Sequence, residues 1–475
     1  AKYEPARVRP PGLFSVYDNY GFTLAGYVVQ KISGMPFADF VQDQILDPLH
    51  MDHSSFRPDA AQRRQLATGY WRDGDTPIAF RPDYVNITPA AGFCTTASDM
   101  ADLLVALLAD QRPHGGQMFA PTVIRGLETR QFAAGPKVLG RCYGFNRVCV
   151  GGRTALRQTG QWPGFNSVLL LFPKAHCGLF MAYNLCDNQR MTQTICRLFA
   201  EQFIPADADT DARQPVVTAR NSISSFTGYY LSERAPHDIP SLGFSREIEV
   251  TQSSAGELKI DGALYRAIGP RSFERIAIPG PDGAPGGRRV MFLAGDGTVH
   301  LITQGGAYRR VDWLASTQGR LFLLRMATLV FVSVLVLWPL TAFMRLVFSQ
   351  APRNPGTRLG RIFTFSLTAH ATAFSACLLA LWFEVCFLLV QWRLKPFAIY
   401  YGFPAPVQRL LWALPALALF TVALAAFCTF AWRRRLWHPA RRFHYTLLVA
   451  ALVIFLYAFC SLHLFEAGLH SIELF

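Results

Sequence analysis

The sequence predicts an α+β chain in three parts: an antiparallel sheet covered by helices, a small β-rich region, and a set of membrane-crossing helices. Three observations carry this prediction. Apolar residues recur at helical spacing over 20–32, 37–45 and 100–108, then form nearly continuous runs at 167–172 and 177–184. Short alternating runs divided by Gly and Asp follow between 248 and 303. The stretch from Met326 to Met344 holds no charge for 19 residues, enough to cross a bilayer even with Pro339 inside it. A chain of 475 residues is too long for one core, and the expected division is 1–205, 216–314 and 321–475.

Each element has its own signal. Phe22, Ala25, Val28, Val29 and Ile32 fall on one helical face, and Gly34 follows as a stop, which predicts a packed helix from Tyr20 to Ile32. A second helix runs from Phe37 to Ile45 and breaks at Pro48. Residues 57–90 are rich in Pro, Gly, Asp and Arg and read as loop with short strands, of the kind that borders a site. Ser98 and Asp99 are placed to cap a helix whose stripe is Met100, Leu103, Leu104, Leu107 and Leu108. Strands are expected at Tyr143–Phe145 with Val148–Val150, at Ser167–Phe172 and at Cys177–Asn184, the last two buried on both faces. A helix with Met191, Ile195, Leu198, Phe199 and Phe203 on one side precedes a linker at 205–215. The region 216–314 shows no carboxylate pair or His cluster and is assigned a structural role.

The expected membrane helices are 326–344, 362–392, 410–432 and 443–465, with Glu384 in the second read as paired or snorkelling near the span end. Hydrophobic content is 51% and net charge +14. The charge belongs to loops that set topology, because no basic stripe interleaved with aromatics suggests nucleic acid. Nine positive residues (345, 353, 358, 361, 433–435, 441 and 442) face three (Arg393, Lys395 and Arg409) across the spans. This bias puts the basic loops in the cytoplasm and the other two regions outside, in the periplasm of a Gram-negative cell. Ten Cys include no CxxC pair, so a zinc or redox site is not expected; a Cys142–Cys149 disulfide and buried free thiols both stay open. No metal or cofactor is called for. No charged-then-apolar leader follows Ala1.

Two polar clusters carry the chemistry. In Pro11-Gly12-Leu13-Phe14-Ser15-Val16-Tyr17-Asp18-Asn19, a phenol and an amide stand two residues apart on a loop before the first helix. Taken alone, the stretch also reads as a loop tyrosine with an Asn bonded into a turn. In Arg157-Gln158-Thr159-Gly160-Gln161-Trp162-Pro163-Gly164-Phe165, a small residue on a strand lets a substrate backbone approach as an added strand, and Thr159 offers a hydroxyl. Taken alone, this is also a strand entry with a Pro-Gly turn.

Together, in this order and spacing, the clusters resemble the serine β-lactamase-related family: class C β-lactamases, low-molecular-weight penicillin-binding proteins, D-aminopeptidases and esterase-like serine hydrolases. The resemblance covers about residues 10–203. It rests on Tyr17-Asp18-Asn19 with Ser33-Gly34, Pro48-Leu49-His50-Met51, Pro89-Ala90-Ala91-Gly92 with Ser98-Asp99, and Gln158-Thr159-Gly160 with Pro163-Gly164-Phe165. It implies acyl transfer to a serine, on a small-molecule or peptide substrate. Tyr17 would be the base or proton shuttle, Asn19 would orient the substrate amide, and Gln158, Thr159 and Gly160 would line the substrate strand. The Gln161 N–H would be half of the oxyanion hole. Membrane-tethered periplasmic members of the family lead us to expect a bacterial inner-membrane protein whose partners are that substrate and the lipid bilayer, with no nucleic acid.

Two departures stand out. None of the six Lys (2, 31, 137, 174, 259 and 395) has Ser three residues before it, so the family's Ser-x-x-Lys element is expected upstream of Ala1 and the chain alone is expected to be inactive. The third motif has Gln158 where the family has Lys or His, which removes a cation; Arg153 and Arg157 are the nearby candidates to replace it. A non-catalytic sensor or ligand-binding module coupled to the membrane helices is the alternative reading.

Overall fold

A computed structural model describes residues 9–73, 76–80, 87–109, 118–135, 139–186, 190–205, 223–234, 246–253, 256–276, 289–295, 297–303, 306–348, 358–393, 405–460 and 464. The chain divides into two compact units, one of Arg9–Arg234 with Ile248–Arg310 and one containing Val311–Phe475.

Helix α1 (Asn19–Ser33) starts where the Asp18 carboxylate accepts from the backbone N–H groups of Tyr20 and Gly21, and stops at Gly34 in the left-handed region. The predicted apolar face does not pack. Phe22, Val28 and Ile32 are exposed, Ile32 by 83%, and Gly26 is the buried residue of the helix. A Cβ at Gly26 would stand 2.4 Å from Pro89 Cγ, so the helix is seated through its smallest residue. Helix α2 (Phe37–Val41) continues through one π-helical turn and a 3-10 turn to Leu49. Leu46, Leu49 and Met51 form a core with Val41, Met100 and Ala106.

The loop-like stretch beyond contains α3 (Ala60–Gln65), a hairpin of β1 (Tyr70–Asp73) and β2 (Thr76–Ala79), and α4 (Thr88–Ala91), which supplies Pro89. In α5 (Ala97–Ala109) the cap is Thr96 rather than Ser98: its hydroxyl accepts from the Asp99 N–H and donates to the Asp99 carboxylate. Asp99 also accepts from Ser54 Oγ at 2.6 Å and from the His53 N–H, which ties the helix start to the core segment after Met51. Helix α6 is Pro121–Glu128.

An antiparallel sheet follows in the order β3 (Asn146–Val150), β4 (Arg153–Trp162), β5 (Phe165–Phe172), β6 (Cys177–Tyr183). Tyr143–Phe145 is a bend instead of a strand, closed by Cys142 N–H to Phe145 C=O. β5 is central and largely buried, as its apolar run predicts, whereas β6 is the edge and is half-buried. Helix α7 (Arg190–Phe203) covers the sheet through Thr192, Cys196, Phe199 and Ala200, leaving Met191, Leu198 and Phe203 exposed. An apolar stripe locates a helix but not the neighbour that covers it. The linker beyond Pro205 lies outside the described residues. None of the ten cysteines is in a disulfide, Cys142 and Cys149 included, and burial pushes the Cys94, Cys142 and Cys196 thiols up.

The β-rich region is a closed barrel of β7 (Gly228–Ser232), β8 (Glu247–Gln252), β9 (Leu258–Ile260), β10 (Ala263–Gly269), β11 (Ser272–Arg275), β12 (Arg289–Gly295), β13 (Thr298–Thr303) and β14 (Gly306–Val311). Alternation along the strands sends Tyr230, Phe273, Phe292, Leu258 and Leu301 inside, where Phe292 stacks on Phe226 with centroids 4.5 Å apart. The buried Tyr230 hydroxyl donates to Phe226 C=O, and burial pushes its pKa up to about 12.

The second unit holds α8 (Thr317–Phe348), α9 (Arg358–Arg393), α10 (Ala405–Leu411), α11 (Ala413–Arg433) and α12 (Pro439–Cys460). Among the described residues, four stretches are long and apolar enough to cross a membrane: Thr317–Met344, Phe365–Val390, Pro406–Arg433 and Pro439–Cys460. The first begins before the charge-free run because α8 is continuous from Thr317, whose N–H donates to the Glu247 carboxylate at 2.7 Å. The fourth helix ends at Cys460; residues 461–463 and 465 of the expected span, and the loop residues Arg353 and Lys395, lie outside the described residues. Phe383, Phe387, Phe455 and Phe459 interlock in the core, and Glu384 accepts from Thr328 Oγ1 at 2.8 Å, the pairing expected of it.

Candidate functional site

The third-motif strand is positioned by its partner. β4 pairs with β5 along its whole length, Gln158 opposite Leu169, Thr159 opposite Val168, Gly160 opposite Ser167 and Gln161 opposite Asn166. On its other side β3 reaches only to Arg157, opposite Asn146. Among the described residues nothing pairs with that side of β4 from Gln158 to Trp162, so this rim is open for an added strand. The turn closing the hairpin fixes where the rim ends. Gly164 has φ of +82° and meets Gly69, one Cα lying 2.5 Å from where a Gly164 Cβ would stand. The loop-like region thus does border the motif, as its composition suggested. Gly160 has a further reason to be small, since a Cβ there would stand 2.4 Å from Ser167 Oγ.

Tyr17 lies on the extended segment that leads into α1, and Asn19 is the first residue of the helix rather than a loop residue beside it. Their ordering residue is Asp18, whose carboxylate is used up in capping. Among the described residues, the side chains of Tyr17, Asn19, Gln158, Thr159 and Gln161 have no hydrogen-bond partner, and each is half-buried or exposed. Nor does any hydrogen bond join Tyr17 or Asn19 to the β4 residues among the described residues.

What holds the Tyr17 segment is the barrel. Arg9 donates to Glu233 C=O at 3.0 Å and places Nη1 3.4 Å from the Glu233 carboxylate. Leu13 fills the space beside Gly295, and Phe14 packs on His300 at 4.8 Å with Arg9 over its ring. The Arg234 guanidinium lies over the Tyr17 ring, 4.8 Å from its centroid. Glu233 is buried between His300 Nε2 at 3.4 Å, Arg9 and Arg309. Burial pushes its carboxyl up, but the His300 hydrogen bond and the two guanidinium charges outweigh that and hold it below the ordinary carboxylate value. The barrel thus holds the Tyr17 segment in place, a structural role. Sequence reasoning missed Glu233, Arg234 and His300 because Arg9 and Glu233 are 224 residues apart and no local pattern links them. A charged pair closing the Tyr229-Tyr230-Leu231-Ser232 strand was the one visible sign.

Neither arginine near Gln158 replaces the missing cation. Arg153 donates from Nε to Ile204 C=O at the end of α7, and from Nη1 to Gly151 C=O. Arg157 stands near the buried Cys196 thiol and Arg141, on the side of the sheet that α7 covers.

An open strand rim and, among the described residues, a phenol without a hydrogen-bond partner mark the candidate site, and comparison with known proteins adds a family to it. The Beta-lactamase family model matches residues 3–193, and this match supports a serine β-lactamase-related region in that part of the chain. Protein flp of Staphylococcus aureus (strain MRSA252) is 30% identical over 92 residues, 19% of this chain and 18% of that protein. A probable hydrolase, M10, of Phoma sp. is 28% identical over 125 residues, 26% of this chain and again 18% of that protein. The chain thus spans under a fifth of the length of these curated relatives. The crystal structure of SurE is 20% identical, covers 65% of this chain and 71% of its own, and superposes with a TM-score of 0.41. At that score the family assignment rests on the family-model match.

Proposed function

We propose that the chain is most of a membrane-anchored serine hydrolase that transfers an acyl group from a small-molecule or peptide substrate on the periplasmic or exterior side of a bacterial inner membrane. The observation that carries this is the open rim of β4 from Gln158 to Trp162, beside side chains left unpaired for a ligand. The substrate lies along Gln158, Thr159 and Gly160, with its amide on Asn19. The serine belongs to a Ser-x-x-Lys element outside these 475 residues. Its oxygen bonds to the substrate carbonyl carbon, and its proton passes through Tyr17 to the leaving group. The Gln161 N–H steadies the oxyanion, and water later releases the acyl group. The charge bias of the loops supports the outward orientation. Treating the full-length protein with a fluorophosphonate or labelled penicillin tests the reading: a covalent adduct on serine is expected, and its absence overturns the proposal. The 475 residues alone should not turn over an ester.

Gln158 favours a second reading, a sensor that binds a peptidoglycan-like ligand without chemistry. A full-length protein that binds such fragments but lacks Ser-x-x-Lys decides for it.

A further inference from the structure

We propose that Arg234, contributed by the barrel, supplies the positive charge at Tyr17 that the third motif does not. The assignment rests on the reading of Tyr17 as the proton carrier of the proposed hydrolase. Three observations converge on it. Gln158 stands where a cation is expected, and both nearby arginines are committed elsewhere, Arg153 to the end of α7 and Arg157 to the covered face of the sheet. Arg234 is the cation that does lie over Tyr17, 4.8 Å from the ring centroid, within the range at which a guanidinium interacts with an aromatic face. Among the described residues the Arg234 guanidinium has no carboxylate partner.

The contact is built rather than incidental. Arg234 follows the buried Glu233, whose backbone N–H donates to Ala307 C=O of β14 and whose own C=O accepts from Arg9. The Arg234 N–H donates to Ser232 Oγ. The residue is thus anchored on the barrel, and Leu13 at Gly295 and Phe14 at His300 anchor the Tyr17 segment to the same barrel. A guanidinium fixed in this way keeps positive charge against the ring that carries the proton in the proposed reaction. Arg234 is a positioning residue in this scheme, acting on the reaction through Tyr17.

Nitration by tetranitromethane, which attacks ionised phenols, tests this on the chain as it stands. Tyr17 nitration is followed by peptide mass spectrometry, with Tyr20 and Tyr27, exposed on the same helix, as internal controls. Arg234→Gln should slow nitration of Tyr17 about two- to fivefold, the range of an exposed cation–aromatic contact, with Tyr20 and Tyr27 unchanged. Arg234→Lys should keep most of the original rate. An unchanged or faster rate in Arg234→Gln overturns the proposal, since a guanidinium that only shields the ring leaves it more reactive when removed. In the full-length protein, Arg234→Gln should lower the maximal rate of fluorophosphonate labelling and leave the half-saturating concentration alone. A defect confined to half-saturation overturns the assignment in favour of a substrate contact. If the unmodified protein takes no label, the hydrolase reading falls, while the nitration result still decides whether Arg234 acts on Tyr17.

Discussion

The rim of β4 and the segment from Arg9 to Tyr17, which the proposed function brings together in one site, are built by different means. The rim is largely local: β4, its turn and β5 are contiguous, with a distant contact from the Gly69 backbone against Gly164 in the turn. The Tyr17 segment has little structure of its own and takes its position from Glu233, Arg234, Gly295 and His300. Half of a site can therefore be written in motif residues while the other half is held by residues that no motif contains.

The largest effect that would sharpen this contrast is expected in the hairpin turn. Gly164→Ala combines a left-handed backbone with a clash against the Gly69 backbone, and should cost about 2–5 kcal/mol in urea unfolding. A cost under 1 kcal/mol would show that the turn does not fix the rim. On the barrel side, Glu233→Gln removes the shared partner of His300, Arg9 and Arg309. It should cost about 2–3 kcal/mol, less than a fully buried pair because Arg9 and Arg309 keep contact with water. It should also broaden the NMR signals of Phe14 and Tyr17; unchanged signals would mean that the segment is held without the clamp.

Acid offers a gentler way to open the same clamp. The Glu233 carboxyl is depressed in the folded protein, so its contribution is present above the unfolded value of about 4.3 and is lost as pH falls through the folded value. Unfolding midpoints measured down the carboxylate range should show this loss in the parent protein and less of it in Glu233→Gln. Parallel curves would break the assignment. The smallest effect is expected at Gly160→Ala, where the atom in the way is the rotatable Ser167 hydroxyl. A cost of under about 1 kcal/mol should accompany a larger loss of labelling in the full-length protein, if the rim holds substrate.

How much was legible in the sequence follows the same division. The stop at Gly34, the core segment Pro48 to Met51, the β4–β5 hairpin and the apolar spans are written in local spacing, and the structure has them. The covered faces of α1 and α7 were not legible, because contact there runs through Gly26 and through Thr192 with Cys196 rather than through the largest side chains. Barrel closure was also out of reach: β7 meets β14 across some 70 residues of chain, and only the strands with clean alternation stood out. The clamp on Tyr17 depends on that closure and was hidden with it.

The open rim of β4 has one more consequence, which concerns the crowd of identical molecules in a membrane. A barrel has no edge to offer a neighbour, but the rim from Gln158 to Trp162, unpaired among the described residues, presents N–H and C=O groups to anything extended, including the same strand of a second copy. A strand bound along that rim would compete with such pairing, so ligand and self-association would draw on the same backbone groups.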